Sequence, residues 1–254
     1  MTGVAGLIWL SRREMLRVSK VWTQTVLAPV VSSILFILVF GLSLGHRIRQ
    51  VGHVDYREFI VPGLITMAMV QAAYANNSAS IFQARFDRYI HDVLSAPMRP
   101  WQMTLGFTVG GVFRALAIGG ALLVLALPLT GVPVHRPVAL IAMVVLGLVL
   151  FSALGVVVGI YAETWDHTAF FTNIVILPLA FVGGTFYSVA ILPEPWHALT
   201  HVNPLFYLVN GVRYGFLGHS DVSIWLSLAV TAALAVPAYL WAQYLFSSGR
   251  RLKP

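Results

Sequence analysis

Long stretches without a single charged residue constrain this chain more than any other feature. Residues 21–45, 59–84, 137–162, 168–193 and 222–249 contain no Asp, Glu, Lys or Arg, and 100–134 contains only Arg114. Each exceeds the roughly 20 apolar residues that a helix needs to cross the hydrocarbon core of a bilayer. Composition agrees: over 254 residues the chain is 58% hydrophobic and 10% charged, whereas a soluble domain carries about 25% charged residues. A formal net charge of +7 then reads as Lys and Arg placed against an anionic inner leaflet, and no nucleic-acid partner is expected. Having no cysteine, the chain has no disulfide framework, thiolate zinc site or cysteine nucleophile. The expected fold is an all-α integral membrane protein with six transmembrane helices.

A seventh uncharged stretch, 195–212, carries His197, His201, Asn203 and Asn210 and is broken by Asn203-Pro204. Orientation decides its fate. With six spans, Arg12, Arg13, Arg17 and Lys20 lie on the same side as Arg250, Arg251 and Lys253, as the positive-inside rule prefers. Arg85, Arg88 and Arg99 join them, against Arg47, Arg49, Arg57, Arg136 and Arg213 outside. The 195–212 segment is therefore expected to enter the outer leaflet and return as two short helices. Gly183-Gly184 would end the fifth span, and Pro193-Glu-Pro195 would make a turn. Such a broken backbone requires cover from protein or a wet cavity.

Two segments are amphipathic. At 100° per residue, Val4, Leu7, Ile8, Met15, Val18 and Trp22 share one face of residues 3–22, with Arg13, Arg17 and Lys20 opposite. This predicts a helix lying in the inner interface. In the inside loop 85–99, Phe82, Phe86, Tyr89, Ile90 and Val93 share a face and Arg88, His91 and Asp92 the other. Ala96-Pro97 stops that helix. It suits docking of a cytosolic partner, although an ordinary solvated linker has the same pattern.

All nine acids lie in loops, tails or span margins, which disfavours a proton- or sodium-coupled carrier. Arg114 sits about 21 Å along a helix begun at Pro100, near mid-bilayer. It must use carbonyls, amides such as Asn76 or Asn77, water or an anionic substrate group. Met67, Gln71, Tyr74 and Ser78 form a polar–aromatic stripe on the second span, lining a path or bonding across helices. His197 and His201 are four apart, but no third ligand is evident and no metal is expected. Glu163, Asp166 and His167 lie at the turn between spans four and five, a solvated hinge or a second partner contact. No catalytic motif or phosphate loop is present, so catalytic residues are not expected and any energy source lies elsewhere.

The run Asn203-Pro-Leu-Phe-Tyr-Leu-Val-Asn-Gly-Val-Arg-Tyr-Gly-Phe-Leu-Gly218 resembles the C-terminal signature of type-2 ATP-binding-cassette (ABC) exporter permeases. Phe59-Ile-Val-Pro-Gly-Leu-Ile65, Leu94-Ser-Ala-Pro-Met98 and Pro178…Gly183-Gly184-Thr-Phe-Tyr187…Leu192-Pro193 are similar to other parts of that family. The likeness covers essentially the whole chain. It is nearest to bacterial exporters of nodulation factor, polysaccharide and drugs. The resemblance implies a single transmembrane domain over 1–254, paired as a homodimer with two copies of a separate ATPase. That subunit would hold ATP and Mg, so this chain needs no cofactor and is not by itself an enzyme.

The resemblance further makes residues 3–20 a connecting helix and 85–96 a coupling helix, with Phe86, Tyr89, Ile90 and Val93 meeting the ATPase. Glu163 and Asp166 would form a second, smaller coupling element. Spans one, two and five would line the path, including Met67, Gln71, Tyr74, Ser78 and Arg114. The 185–217 pair would close it outside through Phe186, Tyr187, Asn203, Pro204, Tyr207 and Arg213. The cargo would be an amphiphile such as a lipid-linked glycan, lipid or hydrophobic drug. The location would be a bacterial inner membrane with membrane lipids around the chain and both termini cytoplasmic. A membrane-embedded transferase and a stand-alone carrier are the alternatives; an ATPase encoded next door discriminates against both.

Overall fold

In the computed structural model, which describes residues 3–43, 50–51, 54–249 and 251–252, six helices are long and apolar enough to cross a membrane. They are Thr23–Gly41, Tyr56–Phe86, Pro100–Thr130, Pro137–Tyr161, Trp165–Val182 and Ile224–Ser248. Arg47, Arg49, Arg250 and Lys253, used in the charge argument, lie outside the described residues.

The first helix, α1 (Gly3–Lys20), precedes a π-helical segment, Thr23–Leu27, that leads into α2 (Ala28–Ser43). Two short strands, β1 (Gln50–Val51) and β2 (Val54–Asp55), pair antiparallel ahead of α3 (Tyr56–Phe86). Short α4 (Ile90–Ser95) is followed by α5 (Pro100–Thr130) and α6 (Pro137–Tyr161). The fifth span joins α7 (Trp165–Phe170), a π-helical segment Phe171–Ile176 and α8 (Leu177–Val182). After a 3-10 turn come α9 (Trp196–Val202), α10 (Pro204–Leu217) and α11 (Ile224–Ser248).

Local chemistry sets many of these boundaries. Proline opens α5, α6 and α10, where its missing N–H costs nothing and its φ suits the first turn. Asp55 accepts from the Arg57 N–H at 2.8 Å and caps α3. Gly218, at φ 74°, ends α10 in the left-handed conformation that favours glycine.

Helix α3 is the axis of the bundle, flanked by α5 and α6 and touched by α2, α10 and the fifth span. Glycines permit the approach. A Cβ on Gly155 would stand 2.5 Å from the Tyr74 carbonyl oxygen, and one on Gly159 2.7 Å from that of Ser78. On α5, Gly111 leaves similar room for Asn77 and the Ala73 carbonyl. Lipid offers no hydrophobic incentive for helices to associate, so close backbone contact supplies it.

The re-entrant pair forms with the expected break, α9 ending at Val202 and α10 starting at Pro204. Asn203 makes the join: its Oδ1 accepts from the Leu205 N–H at 2.9 Å, and its Nδ2 donates to the Leu179 carbonyl at 2.6 Å. Helix α10 is buried almost all round, packed on α6, α11 and α3. Asn210 makes four bonds that hold the turn into α11: its amide donates to Val222 and Ser227, and its carbonyl accepts from the N–H groups of Asp221 and Val222.

Helix α1 departs from expectation. Its protein-facing stripe is Leu10, Glu14 and Val18, while Val4 and Ile8 stay exposed. Leu10 sits over Gly106 and Glu14 over Gly110 of α5. The helix therefore lies in a groove made by glycines one turn apart, and its outer apolar side is left for lipid.

Candidate functional site

Glu14 is fully buried, which the placement of every acid in loops, tails and margins did not anticipate. Its Oε2 accepts from Ser80 Oγ at 2.7 Å and from Arg17 at 3.2 Å. Arg17, expected on the water-facing side, turns inward and also donates to the backbone and side-chain oxygens of Asn76, each at 3.1 Å. Asn76 bonds to Asn77, whose amide reaches the Ser152 carbonyl at 3.1 Å. One polar chain thus ties the interfacial helix through α3 to α6.

Arg114 does not use those amides. The first turns of α5 lie alongside α1. Arg114 is level with the first turn of span one, where its Nε donates to the Thr25 carbonyl at 2.9 Å. Pro29, four residues on from Thr25, has no N–H to bring to that oxygen as an α-helix would. The helix winds as π through this turn.

Arg114, Met67 and Gln71 line a cavity of about 600 Å³ between α2, α3, α5 and the fifth span. Tyr74 and Ser78, expected on the same stripe, do not line it. Tyr74 is enclosed, stacks on Phe171 and donates to the Thr168 carbonyl; Ser78 bonds back to Ala75. Phe36 of span one and Phe181 of span five join the lining; no motif singles out these two positions, and Pro29 is the one local signal of the unusual turn beside them. Phe186 lies at one end of the cavity, its ring tilted against Phe40 at 5.2 Å and stacked on Phe181 at 5.0 Å.

The remaining outer residues work as braces. Tyr187 donates to the Val182 carbonyl and Tyr207 to that of His201. Arg213, buried, donates to the Gly184 carbonyl at 2.6 Å just past α8 and lies 3.9 Å over the Phe59 ring. His201 Nδ1 faces the His197 carbonyl at 2.9 Å, and His197 Nδ1 lies 3.5 Å from Glu194.

At the opposite end, the predicted partner-facing helix is not continuous. Helix α3 stops at Phe86, Arg88 adopts φ 62°, and α4 restarts at Ile90 with its phase reset. Ile90 and Val93 consequently face inward, at 1% and 8% exposure, and are not free to meet a partner; Phe86, at 70%, is free. Tyr89 is half-buried beneath the Arg13 guanidinium, 4.1 Å from its ring; burial raises its phenol pKa, with Arg13 acting against that. Glu163 and Asp166 are exposed close by, for Trp165 meets Phe82 edge-on at 4.6 Å. Arg85 donates to the carbonyls of Gly159, Ala162 and Arg251, fastening the 163–167 turn and the chain's end to the same surface.

Six spans, a re-entrant helical pair and a cavity within the spanning bundle define a membrane permease subunit. Residues 6–217 match the ABC-2 type transporter family. Over 248 residues the chain is 39% identical to the inner membrane transport permease YadH of Escherichia coli K12, covering 97% of this chain and 95% of that protein. It is 24% identical to nodulation protein J of Neorhizobium galegae, over 94% of this chain and 92% of that one. Against nodulation protein J of Rhizobium leguminosarum bv. viciae the identity is 25%, with 92% of each chain covered. The chain belongs to the ABC-2 type transporter family.

Proposed function

We propose that this permease is the membrane half of an ATP-driven exporter, working as two copies with two copies of a separate ATPase. ATP and Mg are bound on that ATPase, and this chain performs no bond chemistry. It sits in a bacterial inner membrane with both termini cytoplasmic, and it moves an amphiphile such as a lipid-linked glycan, lipid or hydrophobic drug. The observation that carries this reading is the surface at one end of the bundle, where exposed Phe86, Arg88, His91 and Asp92 stand beside exposed Glu163 and Asp166. An exposed aromatic side chain ringed by charges suits a protein partner. Closure of the ATPases pushes on this surface and shifts the bundle between inward- and outward-open states, each ligand favouring the state it binds better.

Co-purification tests it. The tagged chain is expected to capture its ATPase, and Phe86→Asp to abolish capture while leaving thermal unfolding of the permease unchanged, since Phe86 is 70% exposed. Capture that survives Phe86→Asp removes the role given to that surface, and failure of the unmodified chain to bind an ATPase removes the exporter reading.

A further inference from the structure

The cavity has a polarity gradient along its length. Gln24, Gln71, Thr172 and Arg114 line its inner end, and Phe36, Phe181 and Phe186 its outer end. From Gln24 to Phe36 the α2 wall runs about 18 Å at the rise of a helix. Arg114 is half-buried and spends only Nε on protein, in the bond to Thr25. Among the described residues its two terminal nitrogens have no acceptor, while no acid lines the cavity. Gln71 Nε2 is a second donor, enclosed and without a partner. Both π-helical segments of the described chain, Thr23–Leu27 and Phe171–Ile176, contribute to the inner end through Gln24 and Thr172. Such π turns occur often at functional sites.

A cation with free donors at one end of an aromatic and aliphatic chamber matches one kind of molecule in size and polarity. We infer that the cavity is a binding site for an anionic amphiphile, its phosphate or carboxylate head on Arg114 and Gln71 and its acyl or isoprenoid tail among Phe36, Phe181 and Phe186. The orientation is that of a lipid already resident in the inner leaflet, so the head need not leave the interface to bind. Guanidinium is suited to the task because its planar fork pairs two N–H groups with two oxygens. The inference rests on the permease reading and specifies its cargo class as acidic.

Because the chain has no cysteine, a Ser33→Cys variant carries one thiol in the cavity wall for a bimane fluorophore. The full chain in nanodiscs is titrated with phosphatidylglycerol or phosphatidylcholine bearing a nitroxide on the acyl chain. Phosphatidylglycerol is expected to reach half-quenching at a roughly fivefold lower mole fraction, the worth of one interfacial cation. Arg114→Gln brings the two lipids within about twofold of each other, and Arg114→Lys keeps most of the preference. Equal quenching in the parent overturns the inference, and that comparison needs no Arg114 variant to fold. A preference unchanged by Arg114→Gln overturns it too. Excess sn-glycerol 1-phosphate, a head without a tail, should not displace the lipid; full displacement would mark a site for a soluble anion instead. Quenching requires neither ATPase nor transport. Lost lipid preference in a chain that still captures its ATPase sinks this site alone, and failed capture with intact quenching sinks the exporter reading alone.

Discussion

Glu14 and Arg17 are the residues whose loss the fold should feel most unequally. Glu14 is enclosed, with Ser80 and Arg17 as its donors, whereas the Arg17 side chain keeps 29% exposure. Arg17→Met strands a buried carboxylate on one hydroxyl, and stranding a buried charge costs about 3 kcal/mol or more. Glu14→Gln leaves a guanidinium that can still reach water and Asn76, so its cost is nearer 1 kcal/mol. Thermal unfolding in detergent should therefore rank Arg17→Met well below Glu14→Gln; equal losses would mean that Arg17 is not what holds the carboxylate. The sequence made α1 legible as an amphipathic helix but not the stripe on which it docks. Periodicity reports which side is apolar, and α1 has two such sides, one for lipid and one for the glycine groove of α5. Arg114 is legible as a cation needing partners, but its choice of the Thr25 carbonyl is not, because that contact depends on how α5 packs against a π turn.

At the scale of elements, glycine separates helix faces that contact backbone from faces that contact lipid. Gly155 stands so close to the Tyr74 carbonyl that a methyl group has nowhere to go, because backbone in the central helix cannot swing aside as a side-chain tip can. Gly155→Ala should cost about 1–3 kcal/mol by overpacking. Gly120, on α5, has open space around its Cβ position and is exposed, so Gly120→Ala should be neutral or should stabilise by up to about 1 kcal/mol through helix propensity. Measured unfolding midpoints of the two variants should move in opposite directions or at least differ clearly. Matching losses would show that α3 and α6 do not meet there. Span positions were readable from charge-free runs, but these pairings were not, because hydropathy treats a lipid-facing glycine and an interface glycine alike. The 85–99 segment failed for a different reason. Periodicity predicts one continuous helix across Asp87–Tyr89, but the left-handed turn at Arg88 rotates Ile90 and Val93 into the bundle.

For the whole molecule, the parity of spans governs function, since it decides whether the proposed ATPase surface and both termini share one compartment. Within the structure they share one end: Arg13 covers Tyr89 near α4, and Arg85 grips the carbonyl of Arg251 near the chain's end. The re-entrant pair cannot be an additional crossing, because α9 and α10 together hold only short helices broken at Asn203-Pro204, and α10 is covered by protein rather than lipid. The excess of Lys and Arg there leads the positive-inside rule to expect that end in the cytoplasm. A natural absence of cysteine makes the test direct. Single variants Ser95→Cys on α4 and His167→Cys in the 163–167 turn, both at exposed positions, should react with a membrane-impermeant maleimide only after the inner membrane is opened. His219→Cys, exposed in the turn between α10 and α11, should react in cells whose inner membrane is intact. If Ser95→Cys and His219→Cys label together, the pair does not lie outside as the six-span topology demands. If the pattern is reversed, the topology stands but the charge rule has been overridden, and an ATPase could not reach Phe86 from the cytoplasm.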